Sequence, residues 1–143
     1  KEHWVFDQLG GVRNRVKLGM IMLRGENKWW VPNRGLFSLK DARRINGLKT
    51  HRAGEFSADW PWLFHMSLLG EFARVPQTLC HKFYMPGSLS RSWEFSQRQV
   101  FEVRAACMRE IWISDLTSEE KLMLTGPLAN LLIQNIPERS APP

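Results

Sequence analysis

The sequence predicts an α+β fold in which helices dominate, and two observations support that prediction. Apolar residues recur three and four positions apart in several segments, as they do along the buried face of a helix. Near the middle of the chain, β-branched and aromatic residues instead cluster in short runs beside prolines, which is typical of strands. The chain therefore divides into a mixed part over residues 1–92, a helical hairpin over 93–136 and a disordered tail over 137–143. With 143 residues, 43% of them hydrophobic, it can build one core.

Two helices are predicted before residue 50. The first lies between Gly11 and Gly25, where apolar residues recur at helical spacing: Val12, Val16, Met20 and Leu23. The second spans 39–46, because the Ser38 hydroxyl can accept a hydrogen bond from the first turn. The Asn-Gly pair at 46–47 then supplies a stop.

A third helix is predicted over 60–69, after a loop over 48–58. Asp59 can act as its N-cap. Pro61 fits the first turn, because the missing N–H of proline has no intrahelical partner there. Gly70 can end the helix, since glycine adopts the left-handed backbone of a C-terminal cap without strain.

Short strands are predicted next, over 72–75 and 78–84, on either side of a proline that cannot donate to a sheet. The hairpin follows. Capping boxes at 96–99 and 117–120 mark the starts of its two helices. The Gly-Pro step at 126–127 should kink or break the second helix.

Charge and cysteine content exclude several classes of protein. The net charge is +6, but the basic residues form no run of five, so we expect a solvated basic surface and no nucleic-acid partner. Cys80 and Cys107 form no C-x-x-C pair, and two reduced thiols are favoured over one disulfide. No run of 18 apolar residues occurs. We expect a cytoplasmic location. Association with the cytosolic face of a membrane is the alternative.

Asp59 is the strongest candidate for chemistry, because it is a lone carboxylate at a helix start between aromatic residues. A carboxylate fixed in that way can take a proton from an attacking hydroxyl group. Trp60 and Trp62 follow it, and their rings could stack on a sugar. Simpler roles stay open, in which Asp59 only caps the helix and the tryptophans only fill the core.

Three consecutive stretches resemble the acceptor-side, C-terminal half of inverting family-2 glycosyltransferases of the GT-A type. Residues 34–48 are similar to the segment in which a strand meets a short helix. Residues 57–63 occupy the place of the acidic catalytic motif, and 68–79 are similar to its Leu-Gly, Val-Pro and Leu continuation. The resemblance covers residues 30–92. It implies that the mixed part is an acceptor-side glycosyltransferase-like segment with Asp59 as the general base.

Two positions depart from the family pattern. Ala58 precedes Asp59 where many members carry a glutamate, and Met85 stands where many carry a histidine that contacts metal or phosphate. His81 lies four residues earlier and would share a strand face with that position, since strand side chains alternate. It is the candidate replacement, and an ordinary half-buried histidine is the alternative.

Ser88 and Arg91 lie in the turn that follows, where an arginine could hold a diphosphate through two parallel hydrogen bonds. Surface solvation is the alternative for both. Together with the aromatic residues after Asp59, they complete the predicted substrate-binding set: Trp60, Trp62, His81, Ser88 and Arg91.

The nucleotide-binding half of such an enzyme is missing from these residues, which contain no Asp-x-Asp motif and no glycine-rich phosphate loop. We therefore expect a nucleotide sugar and a divalent metal to bind only with a donor-binding half. We expect none to be bound by this chain alone, and the isolated chain to be inactive. The expected partners are a carbohydrate or lipid-linked acceptor and the missing N-terminal half or another protein. An exposed sheet edge would also favour a homo-oligomer.

Two functions thus compete. The first is the acceptor-side portion of an enzyme that moves a sugar from a nucleotide-sugar donor to an acceptor hydroxyl. The second is a non-catalytic protein-interaction module that uses the helical hairpin and the tryptophan-rich surface. Asp59→Asn discriminates between them, because only the first depends on that carboxylate.

Overall fold

The computed structural model describes residues 9–24, 35–75, 77, 87 and 96–136. Helices make up 58% of the described residues, and the 4% counted as strand are isolated bridges, so the predicted dominance of helices is confirmed. Within the described ranges, no helix combines the length and the apolarity that crossing a bilayer requires. The described helices are α1 (Arg15–Arg24), α2 (Leu39–Arg44), α3 (Asp59–Ser67), α4 (Gln97–Ile113) and α5 (Ser118–Ile133).

Side-chain caps mark where four of these helices begin. At the start of α1, Asn14 Oδ1 accepts a hydrogen bond from the Lys17 N–H at 2.8 Å. At the start of α2, Ser38 Oγ accepts from the Asp41 N–H at 3.3 Å. Both predicted capping boxes of the hairpin form, in the pairs Ser96 with Gln99 and Thr117 with Glu120. Each cap satisfies a main-chain donor that the helix itself cannot reach.

The third helix differs from its prediction at both ends. α3 starts at Asp59 itself, with Ala58 in the N-cap position and Ser57 at a positive φ of 47°. Asp59 therefore lies in the first turn and is not the cap residue. The helix ends at Ser67, three residues before the predicted glycine stop, because its last main-chain hydrogen bonds span three residues and tighten the turn.

The predicted strand over 72–75 does not form. Phe72 makes only an isolated parallel bridge to Gly10. Among the described residues no second bridge extends this pairing, and the proline that follows has no N–H to donate. The predicted strand over 78–84 and the predicted tail over 137–143 lie outside the described residues.

The second hairpin helix is not broken at the predicted Gly-Pro step. α5 runs through Pro127 as far as Ile133. Leu124 and Leu128 lie on either side of the proline, and both are fully buried. The packing of these two leucines keeps the segment helical although proline cannot donate a main-chain hydrogen bond there.

One core joins the mixed part to the hairpin. The apolar stripe of the hairpin packs against residues of the mixed part and is buried inside the molecule. Burial of this kind stabilises each large side chain by about 1.5–3 kcal/mol. The fully buried members include residues of four helices and one residue that follows α3: Leu18 and Met22 of α1, Phe64 of α3, Leu68, Ile111 of α4, and Leu124 and Leu128 of α5.

Candidate functional site

Asp59 stands in the first turn of a helix whose later residues belong to the core. Leu63 and Phe64 are 2% and 0% exposed, so α3 cannot shift without disturbing close-packed neighbours. The loop before it turns through Gly54 and Ser57, which have φ values of 64° and 47°. A left-handed serine is uncommon, and here it leads the chain directly into the helix. The position of the carboxylate is therefore set by rigid structure on its C-terminal side.

The two tryptophans after Asp59 occupy different environments. Trp62 is buried, and its ring lies 5.0 Å from that of Phe37 in an edge-to-face arrangement. Trp60 is only partly buried at the edge of the core. Residues 59 and 62 share a helix face, because they are three positions apart. The ring of Phe37, which is 51% exposed, thus packs on the residue that follows Asp59 by about one turn of α3.

The remaining predicted substrate contacts, His81, Ser88 and Arg91, lie outside the described residues. Trp60 and Trp62 lie on the helix that begins at Asp59. In the part of the chain that the structure describes, no group of three or more His, Cys, Asp and Glu side chains is placed to hold a metal ion.

A buried ion cluster lies further along α3. His65 Nδ1 lies 2.6 Å from Glu110 Oε2, and Lys49 Nζ donates to the same oxygen at 2.8 Å. The side chains of His65 and Glu110 are 4% and 6% exposed, and that of Lys49 is 21% exposed. The ion cluster of Lys49, His65 and Glu110 therefore joins α3, α4 and the loop that precedes α3.

The Glu110 carboxylate is held in its charged form. Burial alone raises its pKa, but the hydrogen bonds from His65 and Lys49 and the charge of Lys49 outweigh that effect, so the pKa lies below its usual value. An ionised carboxylate has no proton to give and can only accept. In their hydrogen bond, the Nδ1–H of His65 therefore donates to Glu110 Oε2.

The prediction from sequence missed the ion cluster, although two signals for it exist. Glu110 falls on the face of α4 that carries the buried residues Val103 and Cys107, and His65 interrupts an apolar helix. A charge at a buried helix position requires a partner. That partner is not readable from local spacing, because Glu110 lies 45 positions from His65 and 61 from Lys49.

A small cavity borders the ion cluster. It lies between residues 49–51, Pro61 of α3 and three residues of α4: Ala106, Arg109 and Glu110. Its volume of about 20 Å³ is enough for about one water molecule. A sugar ring is larger than this space.

No protein-family model, curated protein or solved structure matches this chain. The candidate site is therefore described from its own residues alone. They are a carboxylate in the first turn of α3, the aromatic pair of Phe37 and Trp62, and the ion cluster further along α3. Function is a property of such a site and not of the fold alone.

Proposed function

We propose that this chain forms the acceptor-side part of an inverting glycosyltransferase and that Asp59 is its general base. The observation that carries the proposal is the position of Asp59 in the first turn of a helix anchored in the core. General-base catalysis needs a carboxylate that is held in one orientation beside the reacting hydroxyl. The order of the three sequence stretches that resemble family-2 enzymes, with Asp59 in the second, supports the same proposal.

In the proposed reaction, the acceptor hydroxyl oxygen forms a bond to the anomeric carbon of the donor sugar. The bond from that carbon to the nucleoside diphosphate breaks, and the diphosphate leaves with the electron pair. Asp59 takes the hydroxyl proton as the oxygen attacks, so charge does not build up on the acceptor. Attack from the face opposite the leaving group inverts the anomeric configuration.

The aromatic surface beside Asp59 supports a carbohydrate acceptor. Phe37 presents half of its surface to solvent, and its ring packs edge-to-face on Trp62, about one helical turn after Asp59. Aromatic rings offer a flat apolar face on which the C–H side of a sugar can pack. Trp60 is the second candidate, whereas the burial of Trp62 favours a supporting role.

The other components of the reaction remain proposals of the same kind. A nucleotide sugar and a divalent metal would bind to a donor-binding part, and the acceptor would be a carbohydrate or a lipid-linked sugar. The reaction would take place in the cytoplasm or at the cytosolic face of a membrane. The net charge of +6 would favour such anionic surfaces.

The test is Asp59→Asn in the polypeptide that carries this chain together with its donor-binding part. Loss of the base should lower kcat by at least about 100-fold, with the fold intact by circular dichroism and thermal melting. Glu55→Gln is the matched control, because Glu55 is an exposed acid in the preceding loop and the change removes the same charge. Equal kcat values for the wild type and Asp59→Asn would exclude the general-base role.

A protein-interaction module is the second candidate function. The inner stripe of the hairpin is already buried, so this candidate depends on the outer surface. Apolar side chains there are more than half exposed: Trp112, Ile113, Leu122 and Met123. Exposed apolar residues in such numbers favour a partner surface or contact with a second copy. Binding that survives Asp59→Asn and is lost in Leu122→Ser would favour this candidate.

A further inference from the structure

Glu110 contacts both of the segments that flank Asp59. Lys49 comes ten residues before Asp59 and His65 six residues after it. Both side chains bind one oxygen atom, Oε2 of Glu110, at 2.8 and 2.6 Å. The loop and helix that present Asp59 are therefore fastened at both ends to a single point on α4.

These two contacts matter because the chain between Lys49 and α3 contains little regular structure of its own. Residues 45–58 contain no helix, and their only bridge is the tight turn from His51 to Gly54. A chain of this kind moves more freely than the helices around it. A part-buried, charge-assisted contact at its beginning limits that freedom, since losing the Lys49 contact removes one of the two donors that satisfy the buried Glu110 carboxylate.

We propose that Glu110 is a positioning residue for Asp59, acting through Lys49 and His65 to hold the start of α3 in its reactive place. This inference rests on the proposed role of Asp59 as general base. It gives the hairpin a role in the chemistry of the mixed part, although the sequence resemblance does not cover the hairpin. Glu110 itself does not touch the substrate in this scheme.

The first arm of the test does not depend on activity. Glu110→Gln keeps the size of the side chain but replaces the carboxylate, which accepts from two donors, by a neutral amide. In the chain 1–143, we expect amide hydrogen exchange at residues 57–62 to accelerate at least tenfold relative to the amides of α5. Leu128→Ala is the control, because Leu128 is a fully buried residue of α5 outside the ion cluster. It should accelerate exchange in both regions alike.

The second arm measures transfer by the polypeptide that includes the donor-binding part. Glu110→Gln should lower kcat ten- to a hundredfold and change KM less than twofold, at a temperature where the variant is folded, since small misplacements of a catalytic group have effects of that size. Leu128→Ala should change kcat less than twofold under the same conditions. If Glu110→Gln does not fold, Lys49→Met carries both arms, because Lys49 is partly exposed and the His65 contact remains.

The outcomes distinguish the positioning role of Glu110 from the general-base role of Asp59. Local acceleration together with a loss confined to kcat supports the positioning role. Exchange that is unchanged, or accelerated equally throughout the chain, overturns it even when Asp59→Asn is inactive. Local acceleration in a protein whose Asp59→Asn variant keeps full activity instead overturns the proposed general base, and with it the assignment of Glu110 to catalysis.

Discussion

Gly19→Ala tests how closely α1 approaches the core. A Cβ atom at Gly19 would lie 2.9 Å from Leu68 Cδ2 and 3.2 Å from Leu124 Cδ2. Alanine in place of glycine inside a helix normally stabilises by about 1 kcal/mol. Overpacking a core costs about 1–3 kcal/mol, and both leucines are fully buried and cannot easily turn away. We therefore expect a net loss of about 1 kcal/mol in the free energy of unfolding.

A double-mutant cycle measured by urea denaturation isolates the contact. Leu68→Ala alone should cost about 2–5 kcal/mol, and it removes the atom closest to the new Cβ. In that background Gly19→Ala should be neutral or stabilising, giving a coupling of about 1–2 kcal/mol between the two positions. Two results would refute the reasoning. One is stabilisation of the wild type by Gly19→Ala, and the other is additivity of the two changes within about 0.5 kcal/mol.

Two further predictions concern titration and thiol reactivity. Arg15 binds both carboxylate oxygens of Glu120 and lowers its pKa from 4.5 to about 2. This contact therefore stabilises the fold above pH 4.5, and its contribution is lost as the pH falls towards 2. Arg15→Gln should weaken the dependence of the melting temperature on pH between these values. An unchanged dependence on pH in the variant would contradict this. Cys107 is 1% exposed, and burial raises its pKa. Mass spectrometry should find it alkylated by iodoacetamide in urea but not in native buffer, where rapid labelling would contradict its place in the core.

The helices could be predicted from the sequence because their signals are local. The capping box of Ser96 and Gln99 involves residues three positions apart, and so does that of Thr117 and Glu120. The buried stripe of α4 likewise follows from a 3.6-residue period. Such features need no knowledge of what the helix packs against, and the structure reproduces them.

The predictions that failed depend on distant parts of the chain. A strand at 72–75 requires a partner strand, and Phe72 finds only a single bridge to Gly10. A break at Pro127 is avoided because Leu124 and Leu128 are buried against other helices. Propensity describes the isolated segment, and tertiary packing can override it.

The candidate site combines both kinds of information. Asp59 is visible in the sequence, since a carboxylate beside two tryptophans at a helix start is a local pattern. Its shift from the cap position into the first turn is not visible, because it depends on the left-handed backbone of Ser57. A serine in that conformation must be held by its surroundings, which the local sequence does not reveal.

The hairpin contributes to the candidate site through a contact between residues that are distant in the sequence. A general base needs a carboxylate near the acceptor and a structure that keeps it there, and the two needs can be met by different parts of a chain. Asp59 meets the first from the mixed part. Under the proposed function, Glu110 meets the second from α4, through contacts that span 45 and 61 positions. Since Glu110 lies on the face that also buries Cys107 and Ile111, the packing that folds the hairpin onto α3 is also what brings this carboxylate to His65.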